Sequence, residues 1–135
     1  MSDFLDLQAA LLTYLRGAPS LQTWLGNPAR VYDAVPQAAV YPYVGFGRVT
    51  ASPAGGVGPS VTEQVVTLTC VSRFDGSEEA KAIAAELRLL LDDAELSLNS
   101  TQLLSLRVSF VDVFRASDLR TTYALVRVRA MTEPA

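Results

Sequence analysis

Residues 61–72 read Val-Thr-Glu-Gln-Val-Val-Thr-Leu-Thr-Cys-Val-Ser, and this alternating, β-branched stretch predicts a β-strand. The side chains at even positions from Gln64 to Cys70 are expected to share one face, and those at odd positions from Val65 to Val71 the other. Both sets contain apolar residues. We therefore expect helices to pack on one face of this strand and a partner or a second layer to cover the other.

A helix is predicted upstream of this strand, over residues 4–16. Its apolar residues recur at helical spacing and form one stripe, namely Phe4, Leu7, Leu11, Leu12 and Leu15. Asp3 is the expected N-cap, and Asp6 places a carboxylate in the first turn, where the helix dipole favours negative charge. Gly17 and then Pro19 are expected to end the helix.

Two further helical segments are predicted. The first is a short turn over residues 21–25, which we expect to be capped by Ser20 and ended by Gly26. The second is a long helix that begins after Ser77 and runs to about Asp92. Its expected core face consists of Ala80, Ile83, Ala84, Leu87, Leu90 and Leu91.

The remaining extended segments complete a predicted sheet, at residues 30–32, 41–50, 96–98, 102–114 and 121–131. Gly45 and Gly47 predict a bulge or a close backbone approach. In the longest segment, the residues expected on one face are Leu104, Leu106, Val108 and Phe110. Residues 51–60 contain three glycines and two prolines, which predicts a long hairpin loop. The order of elements predicts an α+β fold, an antiparallel sheet with two main helices packed on one face.

Length and composition favour a single domain over residues 1–135. The mean hydropathy of +0.24 is high for a chain without an apolar run that could span a membrane. It indicates either a generous core or apolar surface kept for partners, and we favour the second explanation. Asp3 and Asp6 stand where a signal peptide needs basic residues, so we expect no secretion signal. The net charge of −3 and the lack of a Lys/Arg cluster disfavour sequence-specific DNA binding.

The residues that usually carry catalysis are scarce, and no catalytic, cofactor-binding or metal-binding residue is predicted. The chain has no histidine, and Cys70, its single cysteine, is expected to be a small buried side chain. Lys81, the only lysine, is expected to face solvent. Asp92, Asp93 and Glu95 could be considered for a divalent cation, but three acids at a helix exit are typical of a solvated terminus. The glycines of the 51–60 loop lack the Gly-Lys-Ser/Thr of a phosphate-binding loop.

Two features remain as candidates for subunit or partner contacts. One is the loop, through Pro53, Gly55, Gly56, Val57, Gly58 and Pro59. The other is a group of arginines in the last third of the chain, Arg107, Arg127 and Arg129, which we expect to project from strand faces. Arginine holds carboxylates of a neighbouring subunit well, and it could also line a channel. The alternative for the arginines is an ordinary charged face in contact with solvent.

Several stretches together resemble the phage tail-completion family, which includes the tail terminators of long-tailed phages and of gene transfer agents. The first is Arg30-Val31-Tyr32-Asp33-Ala34-Val35-Pro36-Gln37, followed by Tyr41-Pro42-Tyr43-Val44. The second is Ser72-Arg73-Phe74 before Glu79-Ala80-Lys81-Ala82-Ile83-Ala84, and the third is Leu104-Ser105-Leu106-Arg107 before Val113-Phe114-Arg115. The resemblance covers nearly the whole chain, and it implies a structural role without catalysis.

The resemblance also implies an assembly. Tail terminators form a homo-hexameric ring that caps the major tail tube protein, ends its polymerisation and joins it to the head-side connector or stopper, while DNA passes through the lumen. The implied location is the tail or neck of a virion or phage-like particle, made in the bacterial cytoplasm, with no membrane and no cofactor. Three alternatives stay open: another neck or tail-tube structural protein, a small-molecule-binding α+β module and, remotely, a small hydrolase.

Overall fold

The computed structural model describes residues 2–54, 56 and 60–135, and it confirms the predicted α+β class. In chain order the elements are α1 (Ser2–Arg16), α2 (Pro19–Leu25), β1 (Val31–Tyr32), β2 (Tyr43–Pro53), β3 (Thr62–Ser72), α3 (Glu78–Leu91), β4 (Thr101–Arg115) and β5 (Thr122–Pro134). No helix of this described part is long and apolar enough to cross a membrane.

The strands form one sheet in the order β1-β2-β3-β5-β4. The four long strands are antiparallel to their neighbours, as predicted. The exception is β1, which pairs in parallel with β2 through Val31 opposite Val44 and Tyr32 opposite Gly45. A parallel pair needs a crossover between its strands, and residues 33–42 supply it here. The two edges of the sheet are therefore different: β1 lies at one edge and β4 at the other.

The alternation in β3 is confirmed. Gln64, Val66, Leu68 and Cys70 are buried, while the odd-numbered residues between them are half-buried. The buried face packs against all three helices in one apolar core. Its largest fully buried side chains are Leu7, Leu11, Leu15, Leu21, Leu25, Leu68, Ile83, Leu87, Leu91 and Leu106. The opposite face, which carries Thr67, Thr69, Leu125 and Arg127, has no described helix over it, and we call it the open face.

The helix starts differ from the predictions at two caps. Asp3 lies inside α1, because the helix already begins at Ser2, and Phe4 at the end of the apolar stripe is 37% exposed. Ser20 lies inside α2, which begins at Pro19 after Ala18. Proline has the fixed φ angle that suits a first helical turn, so it displaces the serine as the starting residue. Gly26 ends α2 with φ +84°, as predicted.

The long helix α3 closely follows the prediction. Ser77 precedes it, although the serine hydroxyl makes no capping hydrogen bond. The predicted core face is buried except at Leu90, which is half-buried against the core. The hydroxyl of Tyr14 in α1 donates a hydrogen bond of 2.7 Å to the carbonyl oxygen of Leu90. This bond joins the two long helices on the covered face of the sheet.

The predicted loop over residues 51–60 begins too early, because β2 continues to Pro53, which pairs with Thr62. Because β1 pairs only with Val44 and Gly45, the end of β2 has no neighbour on that side, and a proline is tolerated there. Composition alone therefore misplaced the start of the loop. The predicted bulge is confirmed by a register shift between Phe46 and Val49. At Gly47 a Cβ atom would lie 3.3 Å from the carbonyl oxygen of Thr67, which is the expected close approach.

The predicted faces of β4 are wrong at two positions, because β4 has register shifts between Leu103 and Ser105 and between Val108 and Phe110. Each extra residue reverses the direction of the side chains that follow it. Leu104 is therefore 42% exposed, and Phe110 lies on the open face opposite Arg127. Residues 96–98 form no strand, and their two leucines pack against the core from an irregular segment.

Candidate assembly surfaces

The structure places the three predicted arginines together on the open face. Arg107 of β4 lies directly opposite Arg129 of β5, and Arg127 is two residues from Arg129 on the same strand. Like charges at opposite positions destabilise a sheet, so each arginine of the opposed pair needs a carboxylate. Arg129 donates a hydrogen bond to Glu63 of β3, and Arg107 pairs with Asp92.

Asp92 covers part of the exposed edge of β4. Its Oδ1 atom accepts hydrogen bonds from Arg107 Nε and from the backbone N–H of Val108, each 3.1 Å long. The backbone N–H of Asp93 donates to the carbonyl oxygen of Leu106 at 2.8 Å. The bond from Val108, followed by that from Arg107, lowers the pKa of Asp92. This acidic group therefore protects a strand edge, and no metal-binding cluster is found among the described residues.

Arg127 has an aromatic partner in place of a carboxylate. Its guanidinium carbon lies 4.9 Å from the centroid of the Phe110 ring, within cation–π range. Phe110 is 43% exposed, so the pair stands at the surface near the β4 edge. The bulge that turns Phe110 to the open face creates this contact, which the regular alternation expected from the sequence could not show.

The predicted loop contacts are only partly described. Pro53 is the last residue of β2, and Gly56 is exposed with φ +90°. Gly55, Val57, Gly58 and Pro59 lie outside the described residues. The backbone N–H of Ala54 donates to Val61 at 2.9 Å and closes the base of the hairpin. Ser52 pairs with Glu63, the partner of Arg129, so the loop begins at the arginine-bearing end of the sheet.

The other end of the open face carries an aromatic row that was not predicted. Tyr43, Val71, Tyr123 and Phe114 are cross-strand partners in one row over four strands. The Phe114 and Tyr123 ring centroids are 5.5 Å apart. The ring centroid of Tyr43 lies 6.2 Å from that of Tyr32 and 5.5 Å from that of Tyr41. The residues of β3 and β5 that point to the open face could be predicted from their alternation. The face of Phe114 could not, because the bulges of β4 reverse the direction of the side chains that follow them.

The two reactive side chains considered from the sequence, Cys70 and Lys81, lie where they were predicted, one in the core and one at the surface. Burial raises the pKa of Cys70 to about 12, so the thiol stays protonated near neutral pH and packs as an apolar side chain. Lys81 is exposed on α3, as predicted. The groove between α3 and β4, of about 660 Å³, is lined by Ala84, Ala85, Leu89, Val111 and Val113 between Lys81 and Arg88.

Comparisons with known proteins agree with this architecture. The family described as "Tail completion protein gp17" matches residues 9–133. No curated protein matches the chain. A solved chain from the structure titled "Virion of native gene transfer agent (GTA) particle" is 26% identical, covers 96% of each chain and superposes with a TM-score of 0.86. Because the family match spans nearly the whole sequence, the chain belongs to the tail completion protein gp17 family and is a structural component of a phage tail or phage-like particle.

Proposed function

We propose that this chain is a tail terminator without enzymatic activity. Six copies form a ring that caps the tail tube, ends its polymerisation and joins it to the head-side connector or stopper. DNA passes through the lumen without sequence-specific contacts, in line with a net charge of −3. The observation that carries the proposal, beside family membership, is a sheet with two unlike edges and an open face rich in aromatic side chains.

The unlike edges support a closed ring. A ring of more than two copies needs a heterologous interface, in which each subunit contributes two different patches. One edge of this sheet carries β1 and the irregular segment after it, and the opposite edge carries the bulged strand β4. The two patches can therefore meet repeatedly, each copy presenting one edge to its left neighbour and the other to its right.

Exposed apolar side chains support partner contacts as well. The large apolar residues that are at least 37% exposed include Phe4, Leu5, Val40, Tyr41, Leu89, Phe110, Phe114 and Leu119. They lie at both sheet edges and on the helices. Single exposed apolar residues are ordinary, but groups of them at the edges of an open sheet face are typical of interaction sites.

Native mass spectrometry of the purified chain, alone and with the major tail tube protein, tests the ring. We expect a six-copy species at least when the chain is mixed with the tube protein. We also expect tubes to stop growing once the chain is added. A chain that itself polymerises into tubes would be a tube subunit, which is the alternative structural role. A chain that stays monomeric with the tube protein and leaves tube length unchanged would contradict the terminator proposal.

A further inference from the structure

We propose that the groove between α3 and β4 binds an acidic amphipathic helix of a different protein of the particle. Its apolar lining consists of Ala84, Ala85 and Leu89 of α3 and of Val111 and Val113 of β4, and we call it the α3–β4 groove. This contact goes beyond the proposed ring, because it involves a second kind of protein and requires no particular number of copies.

The α3–β4 groove is a gap in the helix layer on the covered face of the sheet. Val111 and Val113 of β4 lie opposite Val126 and Ala124 of β5, so all four side chains point to the covered face. Val126 and Ala124 are fully buried, whereas Val111 is 38% exposed. The helices of this chain therefore cover β5 completely at this level but leave part of β4 open.

The α3 side of the groove supplies a second exposed apolar surface. Leu89 is 75% exposed, the highest fraction among the exposed large apolar side chains of the described residues. It faces the groove together with Ala84 and Ala85. A helix that lies beside α3 would bury Leu89 and Val111 together and would complete the helix layer over the edge of the sheet.

The charged side chains at the α3–β4 groove are cations. Lys81 and Arg88 line it on the α3 side. Arg115 lies two residues beyond Val113, and it points to the same side because it pairs with the buried Thr122. All three cations are exposed, and their side chains form no ion pair or hydrogen bond within the described residues.

The nearest acids do not change the sign of the groove. Asp92, one helical turn after Arg88, makes its ion pair with Arg107 at 3.1 Å. Glu78 lies at the start of α3 and outside the lining, and Asp112 points to the open face. The groove is therefore basic on a chain whose net charge is −3, and charge complementarity selects an acidic partner for it.

The occupant is a different protein, because no described helix of this chain is free to fill the groove of a second copy. The helices α1, α2 and α3 bury their apolar faces in the core of their own chain, through Leu7, Leu21 and Leu87 among others. DNA would pair with the cations through its phosphates, but it would not bury the apolar lining. A helix with acidic residues beside an apolar stripe matches both the lining and the cations.

Photo-cross-linking in assembled particles tests the contact. Leu89→p-benzoylphenylalanine chains are produced in the cells that make the particles, and purified particles are irradiated, digested and analysed by mass spectrometry. We expect a cross-linked peptide of another particle protein, with acidic residues beside an apolar stripe of helical spacing. A cross-link to a second copy of this chain, to DNA or to a segment without that pattern overturns the proposal, and so does the absence of a cross-link. Ala85→p-benzoylphenylalanine replaces the first variant if that chain does not enter particles.

Charge reversal tests the cations separately. Lys81→Glu combined with Arg88→Glu should lower the yield of this cross-link about fivefold or more. The matched control combines Arg48→Glu with Arg120→Glu, which changes the net charge equally at two exposed positions outside the groove. The control should keep the yield within about twofold of the unreversed chain. Equal yields in the two double variants would overturn the selection of the partner by charge.

Native mass spectrometry keeps this contact apart from the ring. Because the occupant is not this chain, Lys81→Glu with Arg88→Glu should leave the six-copy species unchanged. Loss of that species in this variant, but not in the control, would place the groove between copies and overturn the proposal. A six-copy species from a chain that gives no cross-link overturns only the helix contact. A cross-link to an acidic helix without any six-copy species supports the helix contact and contradicts only the ring.

Discussion

Asp6 shows how one side chain joins distant parts of the chain. Its Oδ2 atom accepts hydrogen bonds from the backbone N–H of Ser100 at 2.7 Å, the Ser100 hydroxyl at 2.7 Å and the Thr101 hydroxyl at 3.1 Å. These bonds tie α1 to the start of β4. The sequence suggested only a helix-dipole role for this carboxylate, because its partners lie more than ninety residues away.

The hydrogen bonds to Asp6 make its contribution to stability depend on pH. They lower its pKa in the folded state, the Ser100 hydroxyl contributing most. A lowered folded-state pKa gives stability that is present above the unfolded value and is lost as the pH falls through the folded value. We expect Asp6→Ala to lower the melting temperature at pH 7, and we expect this difference to disappear as the pH falls below the ordinary aspartate pKa of about 3.9 and then through the lowered folded-state value. Thermal unfolding against pH checks this, with exposed Asp75→Ala as the control.

Two results would contradict this prediction for Asp6. If Asp6→Ala and Asp75→Ala lowered the melting temperature equally at pH 7, the link between α1 and β4 would contribute nothing specific. A difference that persisted unchanged at low pH would show that the effect arises from packing and not from the ionised carboxylate.

At the scale of the element, β3 separates a core face from an open face within one strand. Leu68 is fully buried under the helices, whereas Thr67 beside it points to the open face. We expect Leu68→Ala to lower the free energy of unfolding by about 2–5 kcal/mol. Thr67→Ala should change it by less than about 1 kcal/mol. Chemical denaturation of both variants measures the two values, and similar losses would contradict the assignment of the faces.

The exit of α3 protects the edge of β4 through side-chain and backbone bonds that can be tested separately. Asp92→Ala removes the acceptor for the Val108 N–H, so we expect hydrogen exchange at that amide to become faster. Glu95→Ala is the matched control, because Glu95 is an exposed acid just after the same helix and its carboxylate makes no hydrogen bond or ion pair within the described residues. Equal exchange rates at Val108 in the wild type and in Asp92→Ala would show that the carboxylate does not protect this edge.

Regular elements were predictable from the sequence where one physical signal dominated. The alternation of β3 and the apolar stripe of α3 placed both elements and their buried faces correctly. β4 was misassigned at Leu104 and Phe110, because its two bulges are set by pairing with β5 and no glycine marks them, unlike the bulge of β2. The aromatic row and the carboxylate contacts of Asp6 and Asp92 were not found for the same reason, since each joins residues that are distant in sequence.

At the scale of the whole molecule, we expect the loop after β2 to contribute to assembly and not to folding. The base of this hairpin is closed by the Ala54–Val61 hydrogen bond and by the pairing of Pro53 with Thr62. We expect deletion of residues 55–58 to leave the melting temperature nearly unchanged and to reduce the yield of joined particles. A count of joined particles by electron microscopy checks this. Unaltered yield would show that the loop does not contribute to assembly.

Arg127 offers the sharpest test of the open face. Arg129 and Arg107 already have carboxylate partners, so reversing their charge would disturb the subunit itself. Arg127 instead rests on Phe110, which is 43% exposed on the open face. We expect Arg127→Glu to fold with a loss of about 1 kcal/mol or less and to weaken ring formation.

The control for Arg127→Glu is Arg88→Glu, an equal change of charge at an exposed position of α3. Native mass spectrometry over a range of protein concentrations, with thermal unfolding of each variant, compares the two. Because the net charge changes equally, a general electrostatic effect on association would shift both variants together. Weaker assembly of Arg127→Glu alone would place the subunit contact on the open face. Equal assembly of both variants and the wild type would mean that Arg127 belongs to an ordinary solvent-exposed face.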